Sequence, residues 1–126
     1  MENKTLHWLE QSDYDADTAK YMFDGGRYFY AVFMCHLAIE KALKGLYFEK
    51  TKNIPPKTHN LIWLLNEMNL MPPQEKGQFI VKINSASVVT RYPENLKEIK
   101  KQYTKDIVKE FLENTNEVLK WIKTQC

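Results

Sequence analysis

Residues 35–46 read CHLAIEKALKGL, and this stretch predicts the architecture of the whole chain. It is apolar on nearly every side of a helix, which is typical of the central helix of a bundle. The small residues of this helix recur at steps of four and three: Ala31, Cys35, Ala38, Ala42 and Gly45. They predict a narrow seam where a second helix approaches closely. Gly45 supports this prediction, because a glycine inside a helix costs roughly 1 kcal/mol relative to alanine and needs a packing reason.

A polar ladder crosses the same helix, with His36, Glu40 and Lys44 at four-residue steps on one face. In one interpretation the ladder is structural, and Glu40 accepts hydrogen bonds from His36 and Lys44, because a charge among aromatic rings is costly unless paired. In the other, Lys41 and Lys44 contact a phosphate and Glu40 orients one of them. Glu40 as a general base is a further alternative, but no second catalytic group lies at a known spacing. The structural interpretation is favoured, and the others stay open.

Length and composition limit the class of protein. The 126 residues form one domain, large enough for a core of its own. The formal net charge of +2 is too small to indicate a nucleic-acid partner from bulk charge alone. Cys35 lies in the predicted core helix and Cys126 is the last residue, so we expect two free thiols, which suit a reducing compartment. With no signal-peptide pattern and no apolar stretch of membrane-spanning length, we expect a cytoplasmic protein without a membrane partner.

Hydrophobic periodicity predicts five helices and no strand. The predicted helices are about 4–24, 27–50, a third that begins at a Thr58 cap and ends before Pro72, roughly 74–86, and 104–124. Residues 87–102 show no clean period, and Pro93 disfavours a helical conformation at Tyr92, so this segment is expected to be irregular. Short connections favour antiparallel neighbours. The sequence therefore predicts a single all-α domain, 1–126, folded as an up-and-down bundle of five helices.

Two segments outside the central helix carry candidate binding residues. Lys57-Thr58-His59 precedes a helix, where free backbone N–H groups attract anions, although a Thr58 cap with His59 packed against its neighbours is the favoured interpretation. Arg91 lies beside Pro93, and the planar fork of an arginine suits phosphate. The lysines that follow form a locally basic stretch, which is more often a solvated face than a phosphate track. They are Lys97, Lys100, Lys101, Lys105 and Lys109.

The sequence indicates neither a metal site nor a cofactor. Its three histidines and two cysteines lie far apart, with no His-x3-His or Cys-x2-Cys pair. It also contains no phosphate-binding glycine loop and no Gly-x-Ser-x-Gly elbow. We therefore expect no metal and no cofactor.

Several motifs, taken in order, resemble the HEPN family, the nucleotide-binding domains of higher eukaryotes and prokaryotes. The central helix reads HLAIEKALK at 36–44, PPKTHNL follows at 55–61 and TRYP at 90–93, and Trp8 followed by Asp15 fits the first helix. The resemblance covers essentially the whole chain. It implies a homodimer with a polar cleft at the two-fold axis, and a minimal nucleotidyltransferase as the partner protein.

The resemblance also bears on catalysis. Many HEPN proteins are metal-independent ribonucleases with an Arg-x(4–6)-His motif, whose arginine matches Arg91. The positions where the histidine would fall are occupied by Leu96, Lys97 and Glu98. No histidine follows His59. A ribonuclease would therefore depend on Arg91 together with Tyr92 or Tyr103, and an ordinary tyrosine pKa of about 10 suits neutral pH poorly.

Three functions remain open at this stage. The expected one is a HEPN-like partner of a minimal nucleotidyltransferase that binds a nucleotide or RNA and is non-catalytic or catalytically degenerate. The second is a ribonuclease toxin held in check by that nucleotidyltransferase. The third is an interaction module whose polar residues are all structural. The residues expected at a nucleotide or phosphate site are Arg91, Tyr92, Lys41, Lys44, Glu40 and His59.

Overall fold

A computed structural model describes all residues, 1–126, as six α-helices without a β-strand. The helices are α1 Asn3–Asp24, α2 Tyr28–Thr51, α3 Leu61–Glu67, α4 Gln74–Arg91, α5 Leu96–Gln102 and α6 Lys105–Thr124. The all-α prediction is confirmed, but the predicted number of helices is wrong, since six form rather than five. None of the six combines the length and the apolar character that crossing a membrane requires.

Helix α2 lies at the centre of the fold. It contacts each of the other five helices, and its residues Ile39, Leu43 and Leu46 are fully buried. The longest interface is with α1, which runs antiparallel to α2 after a turn at Gly26, where φ is 77°. The prediction that a helix apolar nearly all round occupies the core is therefore confirmed.

Small residues allow α1 to approach α2 closely. A Cβ atom added to Gly45 would lie 2.9 Å from the Cβ of Trp8 on α1. Two turns earlier, the carbonyl of Ala38 accepts a 2.7 Å hydrogen bond from the buried hydroxyl of Ser12. The predicted seam is thus confirmed at Ala38 and Gly45. Cys35, in contrast, faces the hydroxyl of Thr115 on α6.

The cap of α3 is Asn60. The sequence predicted Thr58 for this position, and that prediction is wrong. The Asn60 side chain accepts a hydrogen bond from the backbone N–H of Trp63 at 3.1 Å. The Thr58 hydroxyl instead accepts from the N–H of Asn60, also at 3.1 Å. Both residue types favour cap positions, so composition alone does not separate them. Thr58 therefore supports the turn that leads into the cap.

Helix α4 continues to Arg91, well beyond the predicted end near residue 86. Val88 and Val89 are exposed on its outer side, and a β-branched residue lowers helix propensity by less than about 1 kcal/mol. That penalty is too small to end a helix whose other face is buried. The helix stops before Tyr92 because Pro93 disfavours the helical conformation at the preceding residue. The prediction that Arg91 lies in an irregular segment is therefore wrong.

Helix α5 is the element that the sequence prediction missed. Its cap is Asn95, whose side chain accepts a hydrogen bond from the backbone N–H of Glu98 at 3.1 Å. An Asn followed three residues later by Glu is a known start signal for a helix, and it was present in the sequence. The helix buries only Ile99, so its hydrophobic pattern gave no periodic signal.

Replacing Gly45 by alanine is expected to destabilise the protein, although alanine is the better helix former. The new Cβ would lie 2.9 Å from the Cβ of Trp8, so α1 would have to move. Overpacking of this kind costs about 1–3 kcal/mol. The gain in helix propensity is only about 1 kcal/mol. We therefore expect a lower urea midpoint for Gly45→Ala in unfolding followed by circular dichroism.

Gly77→Ala is the matched control, because Gly77 also lies within a helix but is less crowded. Its added Cβ would approach only the Cγ of Pro72, at 3.4 Å. We expect this variant to be at least as stable as the wild type. Equal midpoints for the two variants would contradict the close approach of α1 to α2.

Candidate functional site

Glu40 lies at the centre of a polar cluster on α2, with only 5% of its side chain exposed. Its Oε2 accepts a hydrogen bond from Nζ of Lys44 at 3.0 Å. Its Oε1 lies 2.8 Å from Nδ1 of His59. A buried carboxylate is costly unless it is paired and hydrogen-bonded, and these two contacts meet that need. The predicted ladder is therefore right for Lys44 and wrong for His36, whose expected place at Glu40 is taken by His59.

His36 is fully buried, and neither of its ring nitrogens has a hydrogen-bond partner. Burial lowers the pKa of the imidazole, with the Glu40 carboxylate acting in the opposite direction and the Arg91 guanidinium adding to the decrease. Asn84 and the backbone of His59 also border the ring. An unsatisfied buried polar group costs about 1–3 kcal/mol. The lowered pKa keeps the ring neutral, and Asn84 and the backbone of His59 are the groups placed to hydrogen-bond with it.

His59 reaches Glu40 from the segment that precedes α3. Asn84 of α4 holds this segment through two hydrogen bonds. Its side-chain oxygen accepts from the N–H of Leu61 at 3.0 Å, and its amide donates to Oδ1 of Asn60 at 3.3 Å. The His59 side chain remains 60% exposed, so it connects the buried carboxylate to solvent. Sequence reasoning missed Asn84, because no motif marks it within its helix.

Both lysines that were predicted to bind phosphate are ion-paired inside the protein. Lys44 is 8% exposed, and besides Glu40 it lies 5.9 Å from the centre of the Trp8 ring. Nζ of Lys41 is 2.8 Å from Oδ2 of Asp15, at an angle outside hydrogen-bond geometry. The Trp8 and Asp15 pair of the sequence motif therefore supplies the α1 partners of these lysines. A phosphate would have to compete with the carboxylates for either one.

Arg91, the last residue of α4, has no such partner. Its guanidinium carbon lies 4.8 Å from the centre of the Phe33 ring, a cation–π contact between α4 and α2. It takes part in none of the ion pairs of the structure. Its buried Nε has no hydrogen-bond partner. The next residue, Tyr92, is 73% exposed. Arg91 therefore offers an unpaired donor next to an exposed aromatic side chain.

These residues form one site, which we refer to as the Arg91 cluster: His36, Glu40, His59, Asn84 and Arg91. Asn84 and Arg91 lie on the same face of α4, about two helical turns apart. The only carboxylate of the cluster is paired with its lysine, whereas the guanidinium is uncompensated. Unpaired donors near an exposed edge suit an anion with several acceptor oxygens, such as phosphate. No three His, Cys, Asp or Glu side chains are close enough to hold a metal ion.

Comparisons with known structures give the same fold. The crystal structure of TT1696 from Thermus thermophilus matches with a TM-score of 0.86 at 23% sequence identity, covering 99% of this chain and 100% of that one. The crystal structure of ST0689, described as an archaeal HEPN homologue, matches with a TM-score of 0.77 at 26% identity, covering 98% of each chain. No curated protein gives a match.

The family comparison agrees with the motifs of the central helix. The family described as the HEPN domain matches residues 5–125, which is nearly the whole chain. The resemblance inferred from the sequence is thereby confirmed. The protein belongs to the HEPN domain family.

Proposed function

We propose that this HEPN protein binds a nucleotide or an RNA phosphate at the Arg91 cluster and has no catalytic role of its own. The observation that carries the proposal is that the guanidinium of Arg91 forms no ion pair with any carboxylate of the protein. The planar fork of the guanidinium can donate two parallel hydrogen bonds to a phosphate, and no carboxylate of the protein competes for them.

The remaining residues of the site have distinct roles in this proposal. Tyr92 and His59 are exposed and lie at the edge, where they contact the ligand directly. Lys44 and Lys41 act indirectly, because their ion pairs neutralise buried carboxylates that would otherwise repel an anion. Glu40 holds His59 in place through the 2.8 Å contact with Nδ1.

The proposed partner is a minimal nucleotidyltransferase. This pairing rests on the family resemblance and on the absence of a histidine at positions 96 to 98, where the Arg-x(4–6)-His motif would place it, and this absence argues for a binding rather than a catalytic member. A gene for such an enzyme beside the gene for this protein would support the pairing. A genome that encodes no such enzyme would contradict it.

The proposed homodimer is supported by an uncovered apolar face on α4. Four exposed apolar or aromatic residues lie along it, namely Val81, Val88, Val89 and Tyr92, with exposures of 52%, 65%, 45% and 73%. This face continues into the exposed edge of the Arg91 cluster. A second copy packed there about a two-fold axis would bury it and bring two clusters together.

Val88→Asp is therefore expected to convert a dimer into a monomer, because it places a charge in the proposed interface. Light scattering after size-exclusion chromatography measures the mass, which should fall from twice 15.0 kDa to 15.0 kDa. Ile54→Asp is the control, since Ile54 is 74% exposed but lies outside the six helices. A wild-type mass of one chain, or equal masses for both variants, would contradict this interface.

Arg91→Ala is expected to weaken nucleotide binding at least about tenfold, because a hydrogen bond to a charged group contributes about 1.5–3 kcal/mol. A ligand that binds the native state raises the melting temperature, so melting curves over a range of ATP or GTP concentrations measure the effect. Arg91→Lys keeps the charge but loses the planar fork, and we expect an intermediate affinity.

The control for this series is Lys120→Ala, which removes an exposed cation of α6. We expect it to bind as the wild type does. No change in the wild-type melting temperature at millimolar ATP and GTP would argue against a nucleotide ligand. An unchanged affinity in Arg91→Ala would argue against the site.

One observation favours a second candidate function, a metal-independent ribonuclease. Nδ1 of His59 lies 2.8 Å from a buried carboxylate oxygen of Glu40, an arrangement that orients an imidazole for general base catalysis. His59 precedes Arg91 and so lies outside the family's Arg-x(4–6)-His motif. Both residues nevertheless act on His36, because the Arg91 guanidinium lowers the pKa of that imidazole and a hydrogen bond with the backbone of His59 raises it.

Incubation with tRNA and total RNA distinguishes the two candidates. The binding proposal predicts that neither the wild type nor any variant cleaves RNA. If the wild type cleaves RNA and both His59→Ala and Arg91→Ala have lost this cleavage, the ribonuclease function is supported and the binding proposal is contradicted. His7→Ala, which alters an exposed histidine of α1, should leave such cleavage unchanged and controls for contaminating nucleases.

A further inference from the structure

A groove of about 590 Å³ lies where the start of α2 faces α5 and the start of α6. We refer to it as the α2–α5 groove, and its side chains of chemical interest are Arg27, Tyr28, Tyr30, Lys100, Tyr103 and Lys105. None of these residues belongs to the Arg91 cluster. The groove is within the range of about 300–1,000 Å³ that is usual for small-ligand sites.

The α2–α5 groove is cationic. Arg27, Lys100 and Lys105 line it, and no carboxylate does. None of the three forms an ion pair. The groove between α1 and α6 has the opposite character, with two lysines and four carboxylates, which belong to Asp13, Asp17, Asp24 and Glu113. Because the net charge of the chain is only +2, the cationic lining is a local feature that favours an anion.

Aromatic rings line the two walls of the same groove. Tyr30 is 46% exposed, and its ring centroid lies 4.5 Å from that of Phe29 beneath it. On the other wall, the half-buried Tyr103 packs against Phe111 with ring centroids 6.0 Å apart. Rings supported in this way lose little entropy when a flat ligand stacks on them. Burial also raises the pKa of Tyr103, so its hydroxyl stays protonated and available as a donor.

We propose that the α2–α5 groove binds a nucleoside phosphate, either a free nucleotide or one unit of a single RNA strand. The base stacks on Tyr30, and the phosphate contacts Arg27, Lys100 and Lys105. A duplex does not meet this requirement, because its bases are stacked on each other and not free to contact a tyrosine. The inference rests on the ligand class of the proposed function and adds a second contact region for it.

The two regions are close along the central helix. Phe33 lies about one helical turn after Phe29, and its ring forms the cation–π contact with the Arg91 guanidinium. Leu96, at the start of α5, lines the groove and follows Tyr92 and Pro93 closely in the chain. A single RNA strand that occupies the groove therefore leads towards the Arg91 cluster.

Fluorescence anisotropy with a short fluorescein-labelled oligouridylate tests the cationic wall. Lys105→Glu is expected to weaken binding and to reduce the salt dependence of log Kd by about 0.7, the value of one phosphate contact on a single strand. Lys105 begins α6, where an acidic side chain suits the helix dipole, so we expect this variant to fold. Lys120→Glu, on the same helix about four turns further along, is the matched control and should bind as the wild type does.

The aromatic wall is tested with the same probe. Tyr30→Ala is expected to weaken binding about fivefold or more, because stacking contributes about 1–3 kcal/mol per base. Tyr30→Phe keeps the ring and should retain the affinity, which separates loss of stacking from loss of folding. Tyr14→Ala removes a tyrosine of α1 that is 75% exposed, and it should have no effect.

Competition separates the two sources of the ligand. Uridine monophosphate and the unlabelled oligouridylate are each used to displace the probe. Equal displacement at the same nucleotide concentration assigns the groove to a free nucleotide. Much weaker displacement by uridine monophosphate assigns it to RNA. Inorganic phosphate that competes as well as uridine monophosphate would overturn base recognition.

Failure of the groove and failure of the proposed function give different results. If the wild type binds RNA and Lys105→Glu and Tyr30→Ala bind it equally well, the proposed groove site is contradicted. The proposed binding at the Arg91 cluster is then unaffected. A wild-type protein that binds neither RNA nor nucleotide overturns both.

Discussion

The buried carboxylate of Glu40 is the constraint on which the rest of the structure depends. It is 5% exposed and is accommodated by Lys44 at 3.0 Å and His59 at 2.8 Å. Removing a partner from a buried ion pair typically costs about 3–5 kcal/mol, because the other charge stays behind. Asn84 holds the segment before α3, and His59 reaches Glu40 from that segment. A single charge on α2 therefore helps to fix where α3 and α4 lie.

Helix α2 makes both close packing contacts and an ion pair at its interface with α1. Gly45 allows the close approach of Trp8, and Lys41 pairs with Asp15 across the same interface. The HLAIEKALK stretch of α2, residues 36–44, is consequently a scaffold whose charges are used within the protein. Arg91 differs from these residues because its guanidinium rests on an aromatic ring and has no carboxylate partner. The proposed ligand contact thus comes from α4 and not from the central helix α2.

The sequence predicted the long helices well, because their buried faces repeat at the helical period. It missed α5, since seven residues that bury only Ile99 leave no such period. It also assigned Glu40 the wrong histidine. The i, i+4 rule finds partners on the same helix, whereas His59 lies 19 residues away and arrives through tertiary packing. For the same reason the contact of Arg91 with Phe33, and the α2–α5 groove, could not be derived from spacing. Arg91 was singled out as a candidate because an arginine in the TRYP motif carries a chemical signal of its own, and its role as a binding residue stays a prediction.

We propose that Arg91 binds the anion, and the nitrogen NMR signal of its Nε group tests this most directly. The protein contains two arginines, Arg27 and Arg91, so the spectrum of Nε–H groups holds two resonances that an Arg27→Lys variant assigns. On addition of ATP or an oligouridylate, we predict that the Arg91 resonance shifts to a saturating limit as the guanidinium binds a phosphate. A ligand that moves backbone resonances to saturation and leaves the Arg91 Nε resonance unchanged would contradict the account.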